Sequence, residues 1–360
     1  MEVNVKGRNY GIDLLRIVAM FMVIILHILG RGGILSSAGT YSINYYVGWL
    51  FEIASFGAVN CYAIISGYVC YNKKIRYSNL ISIIFCAVFY VVILTVAGYF
   101  ATPDADIESV KYSILHIRTV DGWWYLKAYF AAFFVFPFIN LIVEKYDKKK
   151  LYIMLIGMFI IFSVIPTMIC SDVFVLRSGY SPWWLLIMYF VGAVIKKYDI
   201  GLNGSKIKYF CMYLLMVILL LGAKLVADYF EIRIYSEYLI TYVSPFVVLS
   251  SVFLVMIFRK IKMSKYVTNI IAFMSPLTFG IYLIHTQYYV WEYLDNRFVN
   301  YVSMKFVWFV VSVIFTAVII YLVCSIIEFI RQYIFRLLNK LYKRYSLYEN
   351  IKREKYVKEE

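Results

Sequence analysis

Two ionisable side chains inside the first long apolar segment, Arg16 and His27, are the residues best suited to chemistry in this sequence. Ten residues separate them. At about 100° per residue the eleven steps complete nearly whole turns, so both side chains lie on one helix face, about 16 Å apart along the axis. Guanidinium groups clamp phosphate, and a neutral imidazole can accept a proton. The pair could therefore anchor a phosphate-bearing cosubstrate at one end and activate a reacting group at the other.

The same two residues also have a structural interpretation. Arg16 could extend its charged head to the lipid headgroups, and His27 could be a hydrogen-bonded packing residue. Spacing alone favours neither interpretation.

A second histidine, His285, ends another apolar segment that contains Ser275 and Pro276. Ionisable side chains within a membrane are costly and are functional candidates for that reason. The predicted depth of His285 is similar to that of His27, so the two imidazoles could handle a proton together, or one could orient the other. A structural hydrogen-bonding role is the alternative for His285.

The elements that must position these residues are membrane helices. The 360-residue chain is 63% hydrophobic and only 16% charged, and its mean hydropathy is +0.76, which excludes a soluble globular protein. Apolar runs of about 20 residues predict an all-α integral membrane protein with about ten transmembrane helices. The predicted spans are residues 12–30, 44–71, 79–101, 124–144, 151–170, 183–198, 207–227, 239–258, 269–291 and 306–330.

The basic residues alternate between the two sides of these spans. With both termini in the cytoplasm, 26 of the 36 Lys and Arg fall on the inner side and seven on the outer side. The net charge of +15 is therefore a topology signal, and nucleic-acid binding is rejected. We predict a transmembrane domain at residues 1–330 and a basic cytoplasmic tail at 331–360, lying on the inner leaflet. The six cysteines show no metal-ligand spacing, so no metal site is expected.

Five segments, in order along the chain, resemble the motifs of one family. Residues 10–16 followed by His27 are similar to the first helix of the membrane-bound acyltransferase type 3 family. The other four segments are 56–68, which ends in Ser-Gly-Tyr, 124–129, 189–193 and 275–285. Each motif is weak alone, but five in register are specific, and together they cover most of the chain.

The resemblance implies transfer of an acyl group, with acetyl the expected one, from cytoplasmic acetyl-CoA to a sugar hydroxyl of a glycan or lipid-linked sugar outside the membrane. Acyl-CoA would be a cosubstrate, with no tightly bound cofactor, in a multi-pass protein of a bacterial cell membrane. The expected catalytic residues are His27, as general base or transient acyl carrier, and His285. The expected donor-binding residues are Arg16, Asp13, Asn60, Ser66, Gly67, Lys73 and Lys74. The expected acceptor-binding residues are Trp123, Trp124, Tyr125 and Glu52.

Several of these positions keep a second interpretation. Asp13 could orient Arg16 or simply favour the start of the helix. Ser66 and Gly67 could serve helix packing, and Asn60 could bridge helices. All seven tryptophans lie near predicted outer ends of spans and could be interfacial anchors, whereas Trp123 and Trp124 could instead stack on a sugar.

The main rival function is a transporter or flippase of a lipid-linked glycan that performs no chemistry. Such proteins often contain inverted repeats, and this sequence shows no internal similarity. A glycan polymerase would need a larger outer loop than 102–123, the longest predicted here.

Overall fold

The computed structural model describes residues 8–101 and 122–357, and within these ranges it is helical and contains no strand. The all-α prediction is confirmed. The predicted outer loop lies outside the described residues except for Gly122 and Trp123. The helices are α1 (Tyr10–Leu29), α2 (Ile34–Ser37), α3 (Ile43–Phe56), α4 (Ala58–Cys70), α5 (Tyr77–Ala101), α6 (Trp124–Phe133), α7 (Phe136–Lys145), α8 (Lys148–Phe159), α9 (Ile165–Ile169), α10 (Pro182–Lys197), α11 (Lys206–Tyr229), α12 (Arg233–Leu239), α13 (Pro245–Phe258), α14 (Lys265–Met274), α15 (Thr278–His285), α16 (Tyr288–Leu294) and α17 (Phe306–Val357).

Seven helical segments of the described chain are long and apolar enough to cross a membrane, and an eighth is the pair α6 and α7, bent by 55°. The other two predicted spans coincide with the shorter helices α10 and α13, of 16 and 14 residues. A multi-pass membrane protein is therefore supported by length and composition. The count of ten and the orientation of the termini stay predictions.

Helix α1 lies at the centre of the bundle. It begins where the side chain of Asn9 accepts a hydrogen bond from the backbone N–H of Ile12, and it ends at Gly30. About two thirds of its apolar window is buried within the protein, against 17% for the span that begins at Lys148. Helices α3, α4, α13, α14, α15 and α17 pack around α1. Side chains on α1 therefore face protein or an internal cavity rather than lipid.

Helices α4 and α10 cross at very short range. A Cβ atom on Gly67 would overlap the carbonyl oxygen of Tyr189, and one on Gly192 would overlap the carbonyl oxygen of Ile64. The two glycines thus let each backbone rest on the other, as small residues do between membrane helices.

The span that carries His285 is broken near its middle. Residues Ser275–Leu277 form a 3₁₀ turn between α14 and α15, and Pro276 cannot donate the hydrogen bond that would continue the first helix. This break brings the Ser275 hydroxyl within 3.4 Å of the Asp13 carboxylate on α1.

The last helix, α17, extends without interruption from Phe306 to Val357. The boundary predicted at residue 330 therefore falls inside a helix. The basic tail continues the last span as helix, and the division into domain and tail stays a prediction.

Candidate active site

A cavity of about 690 Å³ runs alongside α1, between that helix and residues of α3, α4, α6 and α15. Six of the predicted site residues line it: Arg16, His27, Glu52, Ser66, Trp124 and Tyr125. Arg16 and His27 therefore both line one cavity from α1, as their spacing on one helix face predicts.

At one end of the cavity, two guanidinium groups share one carboxylate. Arg8 Nε and Arg16 Nη1 each lie 2.6 Å from an oxygen of Asp13, which is buried on the first turn of α1. Asp13 is thus paired with Arg16, the arrangement expected if it orients the guanidinium, and Arg8 lines the cavity beside it. The cluster carries one net positive charge and is suited to bind an anion.

One hydrogen bond joins α4, on the opposite wall of the cavity, to Arg16. The hydroxyl of Tyr62 on α4 donates to the backbone carbonyl of Arg16 at 2.6 Å. One turn further, the Ser66 hydroxyl donates to the Tyr62 carbonyl at 2.9 Å while also lining the cavity. Ser66 therefore lines the cavity one turn from Tyr62, and its donor-binding role stays a prediction.

At the far end of α1, the two predicted histidines meet. His27 Nδ1 and His285 Nε2 are 3.0 Å apart, and His285 Nδ1 is 2.6 Å from the carbonyl oxygen of Ile281. A carbonyl only accepts, so in the neutral pair His285 carries its proton on Nδ1 and its Nε2 accepts from His27 Nδ1–H. This leaves His27 Nε2 unprotonated. Trp291 packs edge-on against His27, with ring centroids 4.6 Å apart.

The remaining predicted site residues lie away from the cavity. Asn60 is buried and makes two bonds, donating to the carbonyl of Tyr242 at 2.9 Å and accepting from Trp184 Nε1 at 2.8 Å. Gly67 packs against α10, as described above. Trp123 is completely buried, and Lys73 and Lys74 are exposed after α4. The geometry thus gives Asn60 and Gly67 the helix-bridging and packing roles that the sequence left open.

Among the cavity residues that the sequence did not single out are Tyr180, Tyr242, Arg31 and Trp291. Tyr180 and Tyr242 come from loops, whereas Arg31 and Trp291 lie at the His27 end. Arg31 is held by two carboxylates, at 2.9 Å from Glu292 and 3.2 Å from Asp295. Nothing in the spacing of the two tyrosines relates them to His27. In the sequence, Arg31 stood out only as one basic residue of an outer loop, and Trp291 only as one of seven tryptophans.

Comparison with known proteins supports the same family. No curated protein and no solved structure matches the chain at a significant level. The model of the acyltransferase 3 family, described as an acyltransferase domain, matches residues 9–326. That range contains the whole cavity except Arg8, and it confirms the resemblance read from the five motifs. The chain belongs to the acyltransferase 3 family of membrane proteins.

Proposed function

We propose that this protein is a transmembrane O-acyltransferase that moves an acyl group, expected to be acetyl, from cytoplasmic acyl-CoA to a sugar hydroxyl of an extracytoplasmic glycan. The observation that carries the proposal is the cavity that joins the Arg8 and Arg16 cluster to His27, whose Nε2 is unprotonated in the neutral histidine pair. Membership of an acyltransferase family supplies the reaction class.

The donor end is matched to the phosphates of coenzyme A. Arg8 and Arg16 share one carboxylate, so a polyanion that binds there meets an excess of positive charge. From Arg16 to His27 the helix rises about 16 Å, which is the order of length of the flexible arm between the phosphates and the thioester. Phosphates held at Arg16 would therefore leave the thioester near His27.

The reaction then needs one base. His27 Nε2 takes the proton of the acceptor hydroxyl while the hydroxyl oxygen attacks the thioester carbonyl carbon. The carbon–sulfur bond breaks, and the departing thiolate receives the proton back from His27, giving the O-acyl sugar and free CoA. His285 acts as a positioning residue, because its bond to Ile281 fixes which nitrogen of His27 holds the proton.

The test uses purified protein in liposomes with labelled acetyl-CoA on the donor side and a panel of short oligosaccharides on the other side. We expect label on a sugar with the wild type. We expect a loss of about 100-fold or more in His27→Ala, the range for removing a general base. Phe21→Leu, a change on α1 away from the cavity, is the matched control.

Two outcomes would contradict the proposal. Sugar labelling that persists in His27→Ala removes that residue from the reaction. Movement of an unmodified glycan across the membrane, without acyl transfer, would favour the transporter. Incubating the wild type with labelled donor alone separates the two chemical routes, because label bound covalently to His27 indicates an acyl carrier rather than a base.

A further inference from the structure

Glu52, a residue that lines the cavity, carries a buried carboxyl oxygen without a hydrogen-bond partner in the described part of the chain. The side chain lies on α3, is 9% exposed and lines the cavity. Its Oε2 atom has no hydrogen-bond donor among the residues that the structure describes. The buried Glu328 on α17 differs, because both of its oxygens are bonded by Arg331, at 2.6 and 2.8 Å. A buried acceptor without a donor is costly, and a ligand that brings one recovers this cost.

Aromatic rings surround this end of the cavity. Phe56, Trp124, Tyr180 and Tyr242, here called the aromatic pocket, all line it with Glu52. Tyr180 lies 4.5 Å from Trp124 and 4.9 Å from Tyr242 between ring centroids, and Phe56 lies 4.9 Å from Tyr242. An apolar pocket with one polar group aimed into it is the usual form of a small-molecule site.

The aromatic pocket is built before any ligand arrives. Asn60, completely buried, donates to the Tyr242 carbonyl at 2.9 Å and accepts from Trp184 Nε1 at 2.8 Å. A second backbone bond, from the Tyr242 N–H to the carbonyl of Ser178, ties the loop that carries Tyr180 to the same place. Fixed rings lose little entropy when a ligand binds.

Glu52 lies at about the level of His27. At the Arg16 end of the cavity, the hydroxyl of Tyr62 on α4 bonds to the carbonyl of Arg16 on α1. At the other end, Leu35 on α2, the helix that follows α1, lies against Gly48 on α3. The segment formed by α3 and α4 therefore runs antiparallel to α1. From Tyr62 back to Glu52 is about 15 Å along a helix, and from Arg16 to His27 is about 16 Å. A ligand held at Glu52 therefore lies at the depth of the base, in the same cavity.

We propose that Glu52 and the aromatic pocket form a binding site for one non-acidic sugar ring, with the C–H face of the ring on Trp124 and a ring hydroxyl donating to Glu52. A pyranose has the apolar face and the donor edge that such a site needs. An acidic sugar is disfavoured, because Arg31, a cation at the His27 end of the cavity, is already bound by Glu292 and Asp295. Naming this sugar the acceptor rests on the proposed function.

The experiment measures sugar binding without a donor. Protein in lipid nanodiscs, free of sugar-based detergent, is mixed with methyl glucoside, methyl galactoside, methyl N-acetylglucosaminide and methyl glucuronide. Saturation-transfer NMR then reports which protons touch the protein. We expect saturation of the ring C–H protons of at least one non-acidic glycoside and none of the glucuronide. No saturation of any non-acidic glycoside, or equal saturation of the glucuronide, overturns the proposal.

Variants locate the binding. We expect Trp124→Ala and Glu52→Ala each to weaken the signal by about tenfold, the effect of losing one stacking or hydrogen-bonding partner. Glu52→Gln, which keeps an acceptor oxygen, should retain binding of the non-acidic glycoside. Trp183→Ala and Glu237→Ala are the matched controls, because both side chains are exposed and away from the cavity.

Folding is checked by size-exclusion chromatography and by the melting temperature of each variant. A folded Trp124→Ala or Glu52→Ala that binds the glycoside as the wild type does would overturn the proposal. Sugar binding with no acyl transfer would refute the proposed function and leave this site standing. If the protein transfers an acyl group to a sugar whose saturation-transfer signal is the same in the wild type and in every variant, this site is refuted and the proposed function stands.

Discussion

The two ends of the cavity are built on different physical principles. At one end, the partly exposed Arg8 and Arg16 form short ion pairs with the buried Asp13. At the other end, His27, His285 and the Ile281 carbonyl form a chain of neutral hydrogen bonds. Charge attracts a ligand over a range of positions, whereas a proton must be on one particular atom. Changes at the first end should therefore alter donor affinity, and changes at the second should alter the rate of the chemical step.

The strongest test of this difference is His285. Replacement by Leu removes the acceptor that holds the proton on His27 Nδ1, so the base no longer has one fixed tautomer. We expect kcat to fall by about 100-fold while the KM for acyl-CoA changes little. Steady-state kinetics in proteoliposomes provide the measurement. A variant whose donor KM rises while kcat is preserved would break the comparison between the two ends.

Arg16 should give the opposite split. Arg16→Ala removes charge-assisted hydrogen bonds of about 2 kcal/mol, so we expect the donor KM to rise by about 30-fold with a smaller change in kcat. Arg16→Lys keeps the charge but not the planar guanidinium, so its donor KM should lie between those of the wild type and Arg16→Ala. Varying acetyl-CoA at a fixed acceptor concentration measures both. Equal donor KM values in wild type and Arg16→Ala would remove the phosphate site from this end.

Asp13 should have a smaller effect that appears in stability as well. Asp13→Asn leaves two guanidinium groups together without their counter-charge, which should cost about 1–2 kcal/mol of folding stability and lower the melting temperature. The donor KM should rise only a few-fold, since the charge that attracts phosphate is retained while its orientation is lost. Thermal denaturation and donor titration of the same sample compare the two effects. An unchanged melting temperature would show that Asp13 does not restrain the cluster.

Lys73 and Lys74 should have the smallest effect. Both are exposed and away from the cavity, although the sequence suggested them as donor-binding residues. Lys73→Ala and Lys74→Ala should each change the donor KM by less than about twofold at physiological salt, where exposed charges are screened. The same kinetic assay repeated at low salt would sharpen the result. A tenfold rise in KM at physiological salt would extend the donor site to the segment between α4 and α5.

Much of this architecture could be predicted from the sequence because a membrane removes most alternatives. Ionisable residues such as Arg16 and His27 stand out in an apolar segment, and the regular rise of a helix relates their faces without any tertiary information. His285 could be assigned the same depth because its span is counted from the membrane surface. These are local or periodic properties, which a single sequence carries.

The aromatic pocket could not be predicted, since it depends on contacts between distant segments. Tyr180 and Tyr242 lie in loops whose course no periodicity specifies, and they meet because Asn60 and the Ser178 carbonyl hold one loop against the other. Trp123 and Trp124 are neighbours in the sequence, yet the first is buried in the protein and the second lines the cavity. Which of the two adjacent side chains faces the cavity depends on how α6 packs.

The crossing of α4 and α10 has a consequence for mutational scans of this protein. Gly67 and Gly192 touch the backbone of the opposite helix, so every substitution adds atoms where there is no room. A scan scored by activity alone would rank both positions with the catalytic residues, although neither lines the cavity. Scoring the amount of folded protein alongside activity would distinguish them, because intolerance at these glycines would appear as lost protein and intolerance at His27 as lost turnover.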